Sequence, residues 1–247
     1  MALATLARRE SLLTALKARR LDRTLTTALP PLDPHDEACI GATGLDLLDA
    51  SLGGGFPRGQ LSELVGPRSS GRTSLLMTML AAATRRGELA AVVDALDAFD
   101  VESAAAAGVD LDRLLWIRGH VVANPGMCRD LNQRAMEQAV KALTLVLQAG
   151  NFGLVAFDVA EAPADAWRRL PFTTWLRLQR MVEGRPTICV LVGNEPMARS
   201  AAGLTLKLEG LRAEDAGLEV RARIVRARMH GRDDRRVAFG TTAVLHD

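Results

Sequence analysis

Short apolar runs alternate along the chain with segments whose apolar residues return every three or four positions. The runs predict strands and the segments between them predict helices. Because strands and helices alternate, the pattern predicts an α/β fold with a largely parallel sheet. The predicted strands are 61–65, 89–94, 113–117, 153–158 and 187–193, and the predicted helices are 73–86, 101–107, 127–149 and 164–182.

The two ends of the chain follow other patterns. Residues 3–28 lack glycine and proline and place leucines at helical intervals among basic residues, which predicts a detached basic amphipathic helix. Pro30, Pro31 and Pro34 then indicate a linker. After residue 203, apolar and charged residues alternate, as in half-buried antiparallel strands. We therefore predict an interaction region over 1–38 and a core domain over 39–247 with a mixed, mainly parallel sheet.

Composition adds few constraints. With 48% hydrophobic residues in 247, one substantial core is expected. No run of 18 apolar residues is present, and Arg8, Arg9 and Glu10 stand where a secretory signal would be apolar, so we expect a cytoplasmic protein without a membrane contact. The net charge of +2 does not by itself indicate nucleic-acid binding, and three widely spaced cysteines do not suggest a zinc site.

The stretch "GPRSSGRTS" carries the most specific chemical signal. It has the outline of a phosphate-binding loop, G-x-x-x-x-G-K-[ST], with Arg72 in place of the lysine. It follows a predicted strand and opens a predicted helix, so its backbone N–H groups would converge on an anion; the alternative is a plain glycine turn. The candidate phosphate-binding residues are Gly66, Pro67, Ser69, Ser70, Gly71, Arg72, Thr73 and Ser74.

A metal ion and a nucleotide would extend this site. The Thr73 hydroxyl and Asp158, at a predicted strand end, are the candidate magnesium ligands if nucleotide binds. The Arg72 guanidinium is longer and planar, so binding without efficient transfer is expected. Alternatively, Arg68 and Arg72 fold into the loop and pair with Asp158 or Glu195. ATP or ADP with magnesium is the candidate cofactor, and none is required.

Three stretches resemble the RecA family, and the resemblance extends over about residues 43–240. They are "TGLDLLDASLGGGFPRGQLSELVGPRSSGRTSL", "VVDALDAFDVESAAAAGVDLDRLLWIRG" and "FDVAEA". The resemblance implies a RecA-like P-loop core, and Asp100 joins the candidate nucleotide-binding residues. Within the family, the chain looks most similar to ImuA-type accessory proteins of damage-induced mutagenesis.

The chain departs from the family at the positions that carry chemistry. The resemblance implies a water-activating glutamate where Leu96 stands, and an asparagine–glutamine phosphate sensor where Asn194 and Glu195 stand. Asp97 would replace that glutamate only if the strand end were re-aimed. With Arg72, three positions are altered together. We therefore expect an eroded ATPase with no catalytic residue.

Other candidate residues concern DNA or protein partners. The family's two DNA-binding loops correspond at most to "EAPADAWRRLPF" and the short "EPMARSAAG", so strand exchange is not expected. Trp167, Arg168 and Arg169 either contact DNA or form packing and protein contacts. Arg226 and Arg228 match lysines that reach a neighbouring protomer's nucleotide, or are outward-facing arginines on a strand.

Three functions follow from the resemblance. The first is an accessory protein of the SOS response that supports translesion synthesis. It would contact an ImuB-type Y-family polymerase homologue, RecA or a second copy of itself through the N-terminal helix and the core surface. The second is a divergent ATP-dependent recombinase or mediator that binds single-stranded DNA. The third is a RecA-fold cell-division regulator.

Overall fold

The computed structural model describes residues 39–120, 129–214, 217–228 and 234–241. The predicted helix and linker of residues 1–38 lie outside the described residues. Within those ranges the main sheet has eight strands in the order β10-β9-β8-β3-β7-β6-β4-β5. These strands are β3 (Leu61–Val65), β4 (Leu89–Asp94), β5 (Leu114–Arg118), β6 (Phe152–Asp158), β7 (Ile188–Gly193), β8 (Leu204–Glu214), β9 (Gly217–Ala227) and β10 (Arg235–Thr241).

The sheet is mixed, as predicted. Strands β3 to β7 pair in parallel, β8 joins β3 in parallel, and β9 and β10 continue the sheet antiparallel. Two further strands, β1 (Ile40–Gly41) and β2 (Phe56–Pro57), form a separate antiparallel pair. The helices within the described ranges are α1 (Asp46–Leu52), α2 (Arg72–Arg85), α3 (Val101–Ala106), α4 (Arg129–Ala149), α5 (Ala164–Arg168) and α6 (Phe172–Val182).

Two apolar layers cover the faces of the sheet. Alternate residues of β6 point into opposite layers: Leu154 packs with α2, whereas Val155 packs with α4 and α6. Strands covered on both faces need apolar side chains at every position, which explains the continuous runs in the sequence. The parallel sheet therefore presents its strand ends, and the loops that follow them, as the polar edge of the domain.

Most predicted elements are confirmed to within one or two residues, and the helix 164–182 is wrong. The chain forms two helices there, because α5 ends at Arg168 and α6 begins after Pro171. Proline has no N–H for a helix interior and disfavours helical geometry in the residue before it. Helix α1 and the β1–β2 pair were not predicted. In the described part of the chain, no helix has the length and apolar content needed to cross a membrane.

A substitution at Gly55, beside the β1–β2 pair, tests how closely the backbone is packed at this point. Its φ is 137°, and an added Cβ would lie 2.3 Å from the carbonyl oxygen of Gly41. We expect Gly55→Ala to lower the free energy of unfolding by about 2 kcal/mol or more, since strain adds to the clash. The control is Gly87→Ala, at φ 80° with open space around the added Cβ, and about 1 kcal/mol is expected. Equal losses in urea unfolding would contradict this account.

Candidate phosphate-binding site

The predicted phosphate loop lies between β3 and α2. Ser69 and Gly71 take positive φ values of 59° and 92°, which turn the chain sharply into the helix. A Cβ on Gly66 would lie 2.6 Å from the carbonyl oxygen of Leu208, so only glycine fits there. The first N–H groups of α2 have no intrahelical acceptor and point towards the loop. The backbone therefore has the strand–loop–helix form that suits an anion.

Side chains of the loop fit an anion only in part. Ser70 is 1% exposed, and its hydroxyl has no hydrogen-bond partner among the described residues. Thr73 is exposed, and Arg68 is exposed without a side-chain partner in the described ranges. The orphan hydroxyl and the helix N-terminus suit a phosphate group. Arg72, the cation expected to bind that phosphate, contacts other groups.

Arg72 is the first residue of α2, and its side chain is 5% exposed. Its Nη1 donates to Asn194 Oδ1 at 2.6 Å, and its Nη2 donates to Glu161 Oε1 at 3.2 Å. Of the two partners predicted for an internally paired Arg72, Glu195 pairs with Arg168 instead. Asp158 forms no ion pair with Arg72 in the described part of the chain, although the Arg72 charge partly offsets the rise that burial causes in the pKa of Asp158. Glu161 was missed, although a charged residue three positions after a buried strand end was a visible signal. The guanidinium charge is therefore already compensated within the chain.

Two aspartates lie side by side at the carboxyl ends of β4 and β6. Asp94 and Asp158 are register partners in the parallel pair. Asp94 is 2% exposed and accepts hydrogen bonds from the N–H groups of Leu96 and Phe99 and from the Trp116 indole. Burial raises the pKa of Asp158 to about 6, and repulsion from Asp94 adds to this effect. Asp94 thus shapes the turn, while Asp158 is held in a site that disfavours its charge.

Neither of the two positions considered for a general base, Leu96 and Asp97, presents a free carboxylate. Leu96 packs against the core on the α4 face. Asp97 has φ 59° and turns to the edge strand, where its carboxylate accepts from Arg118 at 2.5 and 2.6 Å. The hydrogen bond from Arg118 lowers the pKa of Asp97, which makes it a weaker base. Asp97 therefore does not take the place of the missing glutamate.

Asp100 is used as a helix cap. One carboxylate oxygen accepts from the N–H of Glu102 at 3.1 Å, and the other accepts from the Ser103 hydroxyl. These bonds satisfy donors at the start of α3. The arrangement accounts for Asp100 without a nucleotide.

The two sensor positions are engaged in different contacts. Asn194 accepts from Arg72, whereas Glu195 forms an ion pair with Arg168. The Arg168 guanidinium also lies 5.5 Å from the centroid of the Trp167 ring. Trp167 is 8% exposed and belongs to the core, while Arg169 is exposed. Trp167, Arg168 and Glu195 border a cavity of about 320 Å³, and its full lining is Trp167, Arg168, Leu170, Phe172, Trp175, Glu195, Pro196, Met197 and Arg199.

Arg226 and Arg228 lie on and just after β9 and bond to their own chain. Arg226 Nη1 donates to the carbonyl of Arg199 at 2.5 Å, and Arg228 donates to the carbonyl of Ser200. Both arginines therefore fix the loop between β7 and β8. Their predicted role at a neighbouring protomer stays a prediction.

A residue that sequence reasoning missed anchors the same loop. Glu63, in the middle of β3, is 1% exposed. Its carboxylate accepts from the N–H groups of Met197 at 2.7 Å and Ala198 at 2.6 Å, and from the Thr205 hydroxyl at 2.7 Å. Its signal was a carboxylate inside an otherwise buried strand. Such a group is retained only where several donors satisfy it.

The parallel sheet, the glycine loop after β3 and the acidic end of β6 define a P-loop NTPase core. The model of the RecA N-terminal domain family matches residues 34–160, slightly more than half of the chain. The chain belongs to the RecA family.

Individual relatives agree with this assignment. The chain is 39% identical over 131 residues to the RecA protein of Clavibacter michiganensis, which covers 53% of this chain and 32% of that protein. It is 38% identical over 122 residues to RecA of Chlorobaculum parvum, covering 49% and 31%. For RecA of Salinispora tropica, the identity is 37% over 130 residues, covering 52% and 33%. The match therefore spans about a third of the length of these relatives.

The raised pKa of Asp158 predicts a pH-dependent stability. A carboxyl with a raised folded-state pKa stabilises the fold below its unfolded pKa of about 4, and this contribution is lost as pH rises through about 6. We expect Asp158→Asn to raise the free energy of unfolding at about pH 8 by about 1 to 3 kcal/mol, with little change near pH 4. Urea unfolding at both pH values measures this. The exposed Asp112→Asn serves as the control, and an Asp158→Asn effect independent of pH would contradict the assignment.

Proposed function

We propose that this chain is a RecA-like accessory protein of the bacterial DNA-damage response that works through protein contacts. In this proposal it supports translesion synthesis in the SOS response, hydrolyses ATP weakly or not at all, and performs no strand exchange. The observation that carries the proposal is the commitment of Arg72 to Glu161 and Asn194.

Two groups that phosphoryl transfer would use have other partners here, which supports the proposal. A transition state with charge on the phosphoryl oxygens needs a cation free to meet it, and the attacking water needs a positioned base. The charge of Arg72 is compensated by Glu161, and Asp97 is held by Arg118. Bound nucleotide would supply phosphates to the loop and a metal ion to Asp158. Neither supplies the missing base at Leu96.

The surface near α5 favours a protein partner over single-stranded DNA. Base stacking needs an open aromatic face, and Trp167 and Trp175 are only 8% and 3% exposed. Phosphate contact needs uncompensated basic side chains; Arg168 already pairs with Glu195, and Arg169 is exposed. A cavity bordered by aromatic residues and arginines suits an apolar side chain with an acidic neighbour.

The proposed partners follow the resemblance to ImuA-type proteins. They are an ImuB-type Y-family polymerase homologue and RecA, with self-association as a further contact, through residues 1–38 and the core surface. We place this work in the cytoplasm, at the nucleoid when the damage response is active. Nucleotide and magnesium are not required for it.

ATP turnover gives the first test. We expect the purified full chain to release no phosphate from Mg-ATP above the blank, with or without single-stranded DNA, because Leu96 stands at the position of the base and Arg72 is paired with Glu161. RecA assayed in parallel is the positive control, and calorimetry with Mg-ATP measures binding separately. DNA-stimulated phosphate release would overturn the proposal and favour the divergent recombinase.

Partner binding gives the second test. We expect Arg169→Glu to weaken binding of the ImuB-type homologue or RecA by roughly tenfold or more, since it reverses an exposed charge beside the cavity. Arg236→Glu, an exposed arginine on β10, is the matched control and should leave binding unchanged. Equal effects of the two variants would contradict this surface. Binding of neither protein, with binding of a cell-division protein, would favour the division regulator.

A further inference from the structure

We propose that Arg72, Glu161 and Asn194 form an internal clamp that takes the place of a bound ligand. The Arg72 clamp joins the start of α2 to the loop after β6 (residues 159–163) and to the first part of the loop after β7 (residues 194–196). It holds both segments in one conformation without nucleotide. This inference rests on the proposed function in one respect, namely that the chain acts without ATP.

One planar cation reaches both segments because of the strand order. β6 and β7 are neighbours in the parallel sheet, so the loops that follow them leave the same edge side by side. Arg72 donates through one terminal nitrogen to each loop. A guanidinium has this forked geometry, whereas a lysine ammonium is a single point charge on a flexible stem. With arginine in place of the lysine, this position bridges two loops instead of binding phosphate.

The Arg72 clamp continues to the cavity. Glu161 lies in the segment that leads into α5, and Asn194 is followed by Glu195, which pairs with Arg168 of α5. Segment 194–196 lines the cavity through Glu195 and Pro196, and segment 159–163 precedes α5, whose Trp167 and Arg168 line it. A change at the Arg72 clamp would alter the shape of this candidate partner surface.

The rest of the loop after β7 is fixed independently. Glu63 accepts from the N–H groups of Met197 and Ala198, and Arg226 and Arg228 hold the following turn. Loss of the Arg72 clamp should therefore loosen residues 194–196 but not residues 197–203. This boundary separates a specific clamp from general destabilisation.

Hydrogen–deuterium exchange of the full chain, without nucleotide, tests the proposal. We expect Arg72→Ala to accelerate exchange in segments 159–163 and 194–196 by roughly tenfold, because charge-assisted bonds at a buried cation are lost. Arg68→Ala is the matched control, since Arg68 belongs to the same loop, is exposed and has no side-chain partner in the described part of the chain. Exchange in segment 197–203 should match that of the wild type.

Two milder variants test the two contacts of the Arg72 clamp one at a time. They also provide a test if Arg72→Ala does not fold. We expect Glu161→Gln to loosen 159–163 alone and Asn194→Ala to loosen 194–196 alone. Exchange profiles of all three variants that equal the profile of Arg68→Ala would overturn the proposal. Acceleration spread evenly over the domain would overturn it too, because that result indicates global destabilisation.

The last measurement is hydrogen–deuterium exchange of the wild type with Mg-ATP added. We expect no further protection of segments 159–163 and 194–196, since the Arg72 clamp already holds them. Strong added protection would show that ligand controls these segments and would overturn the proposal. The phosphate-release assay is read separately. Hydrolysis together with the predicted exchange pattern would overturn only the proposed function. Variants that exchange like the wild type, with no hydrolysis, would overturn only the Arg72 clamp.

Discussion

A single buried guanidinium connects the three segments that form the candidate site. Arg72 lies at the positive end of α2, where a helix N-terminus favours anions, and it is compensated there by Glu161 and by the side-chain amide oxygen of Asn194. A buried charge without partners would be costly, so this cation depends on both loops as much as the loops depend on it. This contact joins the start of α2 to the loops after β6 and β7, beside the cavity near α5.

The carboxylates near the site divide into those that maintain the fold and those that would serve chemistry. Glu63, Asp94 and Asp100 each accept two or more hydrogen bonds from backbone or side-chain donors, and each fixes a turn or a helix start. The group that would act on water is absent at Leu96, and Asp97 is turned away by Arg118. Hydrogen bonds that play no part in ATP hydrolysis thus stabilise the P-loop core.

Membership of the RecA family fixes the architecture and leaves the activity to the site. The match to the relatives spans about a third of their length, so what those proteins do does not transfer as a whole. In this chain, several candidate site residues are held in internal ion pairs. Arg72 pairs with Glu161, Arg168 with Glu195 and Asp97 with Arg118. This compensation is the basis on which we propose a scaffold for protein contacts.

The sequence by itself determined the strands of the main sheet, most helices and the phosphate loop, because burial on both faces and tight turns are local requirements on residue type. Even the break before α6 was visible as Pro171, although a continuous helix had been predicted. Only the tertiary structure decided the partners of Arg72, since Glu161 and Asn194 lie 89 and 122 residues away along the chain. It also decided the roles of Glu63 and Asp97, whose partners come from neighbouring strands and loops. Such contacts depend on which strand ends lie side by side, and a pattern along one chain carries no information about that order.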